Sequence, residues 1–439
     1  MKKLTTFFIG VLFFTRLLSQ NPIVPPGVYI ADPSAHVWKD GKLYVYGSRD
    51  ESPDYYCSWT HHVLSTSDLK TWTIHENSFA SKGPGDMVPY SDDFLYAPDV
   101  QYKDGIYYLY YCLANWTNTE GVATSTSPTG PFGEGRILNT AGINQIDPCV
   151  FIDDDGQAYY IWGQFTAKMA RLKPNMMEID TTTIRDSIIT QEEHRFHEGG
   201  YMVKRNGIYY FVYAGLSMQD MASNISYSTA TSPWGPFRYG GVIIDNDHSD
   251  PRNWNNHGSL VEFKGQWYVF YHRATHGSYT MRKACLEPIT FNADGSINEV
   301  EMTTQGASGP LNALEQIDAE RACLLHGNVR IQTCATDNEE LAEIQEGDRA
   351  AYKYIDFGTG VTQATFMVAP GADSGSITIV LDDPWKWGGS VAKIPGGSDG
   401  KTWTTVSVPV SSVTGVHAVW LQFSSKGNNS FRLDWFKFE

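Results

Sequence analysis

Apolar and polar positions alternate along this chain in short runs, and the runs recur in a fixed order. Each copy opens on a polar residue: Asp32 in Ala31-Asp32-Pro33, Asp99 in Ala97-Pro98-Asp99, Asp147 in Ile146-Asp147-Pro148, Glu198 in His197-Glu198-Gly199, and His257 in Asn256-His257-Gly258. An apolar tract follows, then a tight turn at Asp40-Gly41, Asp104-Gly105, Asp155-Gly156, Asn206-Gly207 or Lys264-Gly265. An aromatic-rich tract then returns, as in Leu43-Tyr44-Val45-Tyr46 or Trp267-Tyr268-Val269-Phe270-Tyr271. Period-two runs bounded by Asx-Gly turns predict antiparallel hairpins. A second set of tracts follows three of these hairpins: His62–Ser67, Val122–Ser127 and Ile225–Thr229. Two hairpins per copy give the four strands of a propeller blade. A unit that recurs roughly every fifty to sixty residues and cannot bury its own apolar face must stack on its neighbours. Residues 21–309 therefore read as a five-bladed β-propeller. Equivalent strands start equivalently, so the polar openers are expected at one mouth of the central channel, where three distant carboxylates become one site.

The blade pattern stops at Gln305-Gly306-Ala307-Ser308-Gly309-Pro310. Beyond it, alternating tracts such as Ser376–Leu381, Ala418–Phe423 and Phe431–Phe436 are separated by Gly-rich turns. They predict a second all-β domain over 310–439, a β-sandwich of the jelly-roll kind.

Composition narrows the partners. Among 439 residues, 25 Tyr and 13 Trp offer stacking surfaces, and the formal net charge of -16 disfavours nucleic acid and anionic membranes. A neutral polysaccharide or oligosaccharide suits that field, and the chain is expected to be monomeric. Residues 1–20 read as a signal peptide: Lys2 and Lys3 precede an apolar run from Leu4 to Leu18, broken by Arg16. The run is too short for a good membrane span, so the protein is expected to be exported, periplasmic or extracellular, without membrane insertion. The six cysteines show no zinc spacing. Cys323 and Cys334 are close enough to bridge in an oxidising compartment, whereas Cys112 and Cys149 sit in apolar tracts and read as buried thiols.

Taken in order, these openers resemble glycoside hydrolase family 43, whose members are five-bladed and cleave glycosidic bonds with inversion. The resemblance covers nearly all of 21–309. It implies that Asp32, in the first Asp-Pro pair, is the general base, that Asp147, in the second, tunes the acid, and that Glu198 is the general acid. It implies that His257, ahead of Gly258-Ser259, lies near the channel centre and holds a calcium ion or a water. No metal is implied for catalysis. Inversion needs one protonated carboxyl at the leaving oxygen and one carboxylate to activate water, roughly 6.5–9.5 Å apart. An ionised Asp147 is expected to raise the pKa of Glu198. The family gives Asp99 no proton-transfer role, so it is expected to fix backbone geometry or a sugar hydroxyl. Trp116, Trp59 and Tyr55 are candidate sugar-stacking residues on mouth loops, and Arg273 a candidate for sugar hydroxyls or a carboxylate partner. Gly199-Gly200 stands where the family often has Gly-Pro, which predicts a looser loop after the acid, and Tyr96 stands where it usually has Trp.

From about residue 314 the chain resembles carbohydrate-binding module family 6, through Asp318-Ala319-Glu320, Gly347-Asp348, Asp356-Phe357-Gly358, Thr402-Trp403-Thr404 and Leu433-Asp434-Trp435-Phe436. The resemblance implies a structural calcium held by Asp318, Glu320 and Asp434. It also implies a cleft clamping sugar between two aromatics, but Arg349 occupies one position and Ser398–Lys401 spans the other. Binding there is expected to be weak or absent, with Asn428 or Asn429 as remaining polar contacts and Trp385 and Trp387 as a replacement platform. The expected activity is an exo α-L-arabinofuranosidase on plant polysaccharide side chains. Alternatives are a β-xylosidase, exo-β-galactosidase or galactofuranosidase of the same family, a retaining fructan-cleaving enzyme, or a non-catalytic sugar-binding propeller.

Overall fold

A computed structural model describes residues 15–17 and 20–439, apart from 116, 118, 219, 220, 248, 250–254, 278, 336, 387 and 429. Most of the first twenty residues, and with them most of the expected signal peptide, lie outside the described set, as do Trp116, Trp387 and Asn429. Thr15–Leu17 pairs with Thr71–Thr73 at the outer edge of the first sheet.

Both domains are β-structure, as expected. Blade 1 runs through Ile30–Val37, Leu43–Arg49, Thr60–Thr66 and Thr71–Ala80, and blade 2 through Asp99–Lys103, Ile106–Cys112, Glu120–Ser125 and Arg136–Ile137. Blade 3 comprises Cys149–Ile152, Ala158–Trp162, Thr166–Arg171 and Arg185–Thr190; blade 4 comprises Phe196–Arg205, Ile208–Leu216, Ala222–Ala230 and Arg238–Ile244. Among the described residues blade 5 has three strands, Ser259–Phe263, Gln266–Arg273 and Lys283–Ile289. Its outer edge is covered by the N-terminal segment, where Asn21 exchanges two 2.9 Å hydrogen bonds with the Leu286 backbone and Ile23 N donates to Ala284 O. The turns work as their residues dictate: Asp104-Gly105, Asn206-Gly207 and Lys264-Gly265 all have positive φ at both positions, the twist that two-residue hairpins need.

Period two explains how the blades stack. On the second strand of blade 2, Tyr107, Leu109 and Tyr111 pack toward blade 1, while Tyr108 and Tyr110 pack toward blade 3. One apolar cluster fills each of the interfaces 1–2, 2–3, 3–4 and 4–5, and another joins blade 5 to blade 1 through Val261 and Phe270 against Ala35 and Val45. The inner strands touch in the same cyclic order, the last against the first. The ring is closed, and the start of each inner strand faces one axis.

The second domain is a sandwich of two six-stranded sheets around one core that includes Tyr352, Phe366, Leu421 and Phe436. Its first strand is Leu311–Asn312. Thr304 N and Gln305 N already donate to Lys353 O, at 2.6 and 2.9 Å, so the linker is hydrogen-bonded to the sandwich before that strand begins. All six cysteines are free, so the expected Cys323–Cys334 bridge does not form. Cys323 is buried against Ala351 O of one sheet at 3.3 Å, and Cys334 is exposed on a strand of the other.

Candidate active site

A cavity of about 220 Å³ opens where the inner strands begin, lined by Asp32, Asp147, Glu198 and His257 together with Tyr56, Cys57, Tyr96, Ala97, Ile146, Gln164, Asn255 and Arg282. Blades 1, 3, 4 and 5 thus each deliver their opener. Asp32 (φ 53°) and Asp147 (φ 61°) both hold left-handed backbone immediately before a proline. That combination is disfavoured on both counts, and it turns each side chain out of its strand. On blade 4, register shifts on either side of Glu198 do the same work, since a bulge re-aims a side chain.

Asp32 is tied down on every side. Its Oδ2 accepts from Ser48 Oγ at 2.6 Å, its Oδ1 from Arg282 Nη1 at 3.0 Å, and its backbone N–H donates to His272 Nδ1 at 3.0 Å. Arg282 is itself fixed by a two-pronged pair with Asp50, Nε to Oδ2 at 2.8 Å and Nη2 to Oδ1 at 2.9 Å. Its burial works against the cation, but Asp32 and Asp50 outweigh it and hold the guanidinium firmly charged.

Glu198 Oε2 accepts from Gln164 Nε2 at 2.7 Å. Its carboxyl is pushed up to about 7, first by burial, with the Asp32 charge adding and the Gln164 amide and Arg282 opposing. Burial therefore replaces Asp147 as the leading cause. Asp147 is pushed well up too, by burial first and then by Glu198, Asp32 and Glu120, with Arg282 opposing. Glu198 opposes the ionisation of Asp147, so the two buried carboxyls titrate as a coupled pair.

His257 Nδ1 lies 3.9 Å from Asp32 Oδ1 and 3.8 Å from Asp147 Oδ2. Burial lowers its pKa despite Asp32, so the ring is neutral at pH 7. Gly199, at φ +66°, lies so close that a Cβ there would sit 2.6 Å from His257 Cγ. The segment after the acid is therefore packed tight rather than loosened by losing a proline. Calcium takes six to eight oxygen ligands. His257 offers nitrogen and Asp32 is already engaged, so a calcium ion beside His257 would take most of its oxygen ligands from water. Among the described residues no three His, Cys, Asp or Glu side chains converge as a metal site.

The other expected residues fall elsewhere. Asp99 is buried outside the cavity: Oδ1 accepts from Ser34 Oγ at 2.6 Å and lies 2.7 Å from His36 Nε2, while Oδ2 accepts from Val150 N at 2.7 Å. It ties blades 1, 2 and 3 together, with no oxygen turned to a sugar. Arg273 turns from the cavity to the second domain, where Nη1 donates to Ala322 O. Tyr55 and Trp59 do not line the cavity; they flank Phe94, with ring centroids 5.0 and 4.5 Å from it, beside the lining residues Tyr56 and Cys57. Sequence reading missed Arg282, Gln164 and Phe165. Phe165 follows Gln164, is 54% exposed at φ 64°, and packs edge-on against His197, beside the acid.

In the second domain, Asp318 pairs through its backbone with Trp435, next to Asp434, whose Oδ1 accepts from Asn338 Nδ2 at 2.9 Å. Glu320 is buried, and its Oε2 has no hydrogen-bond partner, which suits a cation. Trp385 is 66% exposed, and the Arg349 guanidinium lies over its ring at 4.4 Å.

Known proteins carry the same plan. A xylosidase/arabinosidase of Thermoclostridium stercorarium is 30% identical over 94% of this chain and 97% of its own. A β-xylosidase of Xylanibacter ruminicola is 31% identical, over 63% of this chain and 98% of its own. The crystal structure of a glycoside hydrolase family 43 arabinoxylan arabinofuranohydrolase from Bacillus subtilis, in complex with cellotetraose, superposes with a TM-score of 0.53 at 26% identity, covering 95% of this chain and 97% of that one. Residues 318–439 match the model of carbohydrate binding module family 6. Residues 19–297 match that of glycosyl hydrolases family 43, and the chain belongs to that family of inverting glycoside hydrolases.

Proposed function

We propose that this enzyme removes single α-L-arabinofuranosyl units from arabinoxylan side chains, with Asp32 as general base, Glu198 as general acid and Asp147 as the group that tunes the acid. The observation that carries the reading is the meeting of these three carboxyls in one cavity of about 220 Å³. That is smaller than the roughly 300–1,000 Å³ of drug-sized ligand pockets, and it suits one sugar ring.

Each role has its physical support. Ser48 and Arg282 donate to the Asp32 carboxylate and orient it to take a proton from attacking water. Glu198, held protonated up to about pH 7 by burial, can hand its proton to the departing oxygen. As it does so, the pair Glu198 and Asp147 keeps the remaining charge in a site that Arg282 partly neutralises. The exposed ring of Phe165 packs against His197, next to the acid in the chain, and would meet the leaving sugar. Tyr55, Phe94 and Trp59 form an aromatic ledge near the lining residues Tyr56 and Cys57.

The names of relatives matched along nearly the whole chain support arabinose: two are arabinoxylan arabinofuranohydrolases, and a third is a xylosidase/arabinosidase, which keeps xylose as the second candidate. The apolar run after Lys2 and Lys3 supports export. In the second domain, Glu320 and Asp318 would hold a structural calcium, whereas Asp434, engaged by Asn338, does not complete a set of three converging carboxylates with them. A panel of nitrophenyl glycosides, with NMR of the first anomer released, tests the activity. Release of arabinofuranose with inversion is expected. Release of xylose alone would overturn the choice of sugar, and retention would overturn the mechanism.

A further inference from the structure

Glu339 belongs to the sandwich, on the strand Asn338–Ala342, yet its carboxylate serves the propeller. Oε1 accepts from Tyr29 OH at 2.5 Å and from Gly27 N at 3.2 Å, and Oε2 pairs with Lys283 Nζ. The side chain is fully buried, and so is Lys283. Burial disfavours the ionised carboxylate, but Lys283 and the Tyr29 and Gly27 hydrogen bonds outweigh it and hold the carboxyl below its ordinary range.

Two of the three propeller residues that Glu339 grips, Lys283 and Tyr29, are neighbours of the base assembly. Lys283 follows Arg282 in the chain, and successive strand residues point to opposite faces: Lys283 to the domain interface, Arg282 to Asp32 and Asp50. Tyr29 immediately precedes the strand that carries Asp32, and its carbonyl accepts from Asp50 N at 3.1 Å. One carboxylate from the second domain thus clamps both segments that meet at Asp32. A further strut braces the segment leading to Arg282: Ile331 N of the sandwich donates to Thr275 O, and Thr275 Oγ1 donates to Met281 O.

We propose that Glu339 is a positioning residue for the general base, so that the second domain is part of the scaffold that aligns Arg282 and Asp32. The inference rests on the reading of Asp32 as base. Without Glu339, a buried ammonium is left without its counter-ion, and such a group moves toward water. Lys283 cannot do so without shifting the strand that begins beside Arg282, and a misplacement of about 1 Å at a reacting group costs about a hundredfold in rate.

The test uses the full chain, with Glu339→Ala, Glu339→Asp and Tyr29→Phe, assayed on small aryl glycosides that cannot span to the second domain. Wild-type turnover and its loss in Asp32→Asn, on activated and poor leaving groups alike, establish the base in the same assay, so a failure of that reading shows before Glu339 is judged. Glu339→Ala is expected to lower kcat about tenfold to a hundredfold with KM within about twofold. The loss should be equal on activated and poor leaving groups, because water attack rather than leaving-group protonation is impaired. Glu339→Asp should recover part of it. Should Glu339→Ala not fold, Tyr29→Phe, which removes one donor, is expected to show the same pattern at smaller size. An unchanged kcat per folded molecule, with only the melting temperature lowered, would overturn the proposal, as would a loss confined to poor leaving groups.

Discussion

Glu198→Gln separates what the acid does for the reaction from what its burial does to the fold. The amide keeps the shape and can still accept the Gln164 hydrogen bond at 2.7 Å, but it carries no acidic proton. General acid catalysis contributes about 10²–10⁴-fold, or about 2.7–5.4 kcal/mol of barrier. Glycosides with poor leaving groups should lose that much in kcat. Dinitrophenyl glycosides, whose leaving group departs as an anion, should lose far less. The wild-type rate should fall above about pH 7 as Glu198 ionises, and that limb should vanish in the variant. Stability moves the other way. In the unfolded chain Glu198 ionises at its ordinary value of 4.5, whereas in the fold it resists until about 7. Below pH 4.5 both states are protonated and nothing is lost; between 4.5 and 7 the unfolded state gains an ionisation that the fold withholds. The cost then levels off at up to about 3 kcal/mol, at about 1.36 kcal/mol per pKa unit. Glu198→Gln should therefore melt higher than wild type at pH 8 and level with it at pH 4, by scanning calorimetry. An equal loss of activity on both leaving groups, or a melting gain independent of pH, would refute this account of the acid.

Three further outcomes are expected. Gly199→Ala puts a Cβ 2.6 Å from His257 Cγ at φ +66°; it should cost at least the roughly 1–2 kcal/mol of a left-handed alanine and lower kcat, read by denaturant unfolding and turnover. Phe165→Ala should raise KM for oligosaccharides about threefold to tenfold while leaving aryl glycosides unchanged, because the ring meets only the leaving sugar; equal KM values on oligosaccharides would count against that subsite. Thiol titration of the native protein should find one accessible cysteine, Cys334, and all six after denaturation; four in the unfolded, unreduced chain would reveal a bridge.

The fold was legible because its instructions are local. Positive-φ hairpin turns and period-two aromatics each follow from a few adjacent residues, and stacking them requires a ring. The site was legible only as far as register was read correctly. Asp32-Pro33 and Asp147-Pro148 align by proline with Ala97-Pro98, so blade 2 presents Ala97, not Asp99, to the cavity. Asp99 follows its proline and aligns with Ser34, the residue it accepts from. Aligning the copies by polar residue rather than by proline put Asp99 at the mouth. Arg282 was invisible for a different reason: its partner Asp50 lies 232 residues away, and the fifth copy is one of the two without the second set of tracts. Arg273, by contrast, ends a strand that runs toward the second domain, a contact no single-domain pattern encodes.

The energetics of the cavity explain why such a site needs a closed ring. Asp32 and Asp147 each hold a left-handed conformation before proline, a strain of about 1–3 kcal/mol apiece. Three carboxyls are buried around one guanidinium that Asp50 already shares. No single blade could hold one of these residues in place, since each is fixed by neighbours from another blade: Asp32 by His272 and Arg282 of the fifth, and Glu198 by Gln164 of the third. The apolar interfaces between blades, including the one from blade 5 back to blade 1, must form before the strained pairs are held. The catalytic geometry is thus a property of closure, and contacts that tighten blade 5 against blade 1, Glu339 among them, act on the base from outside the cavity.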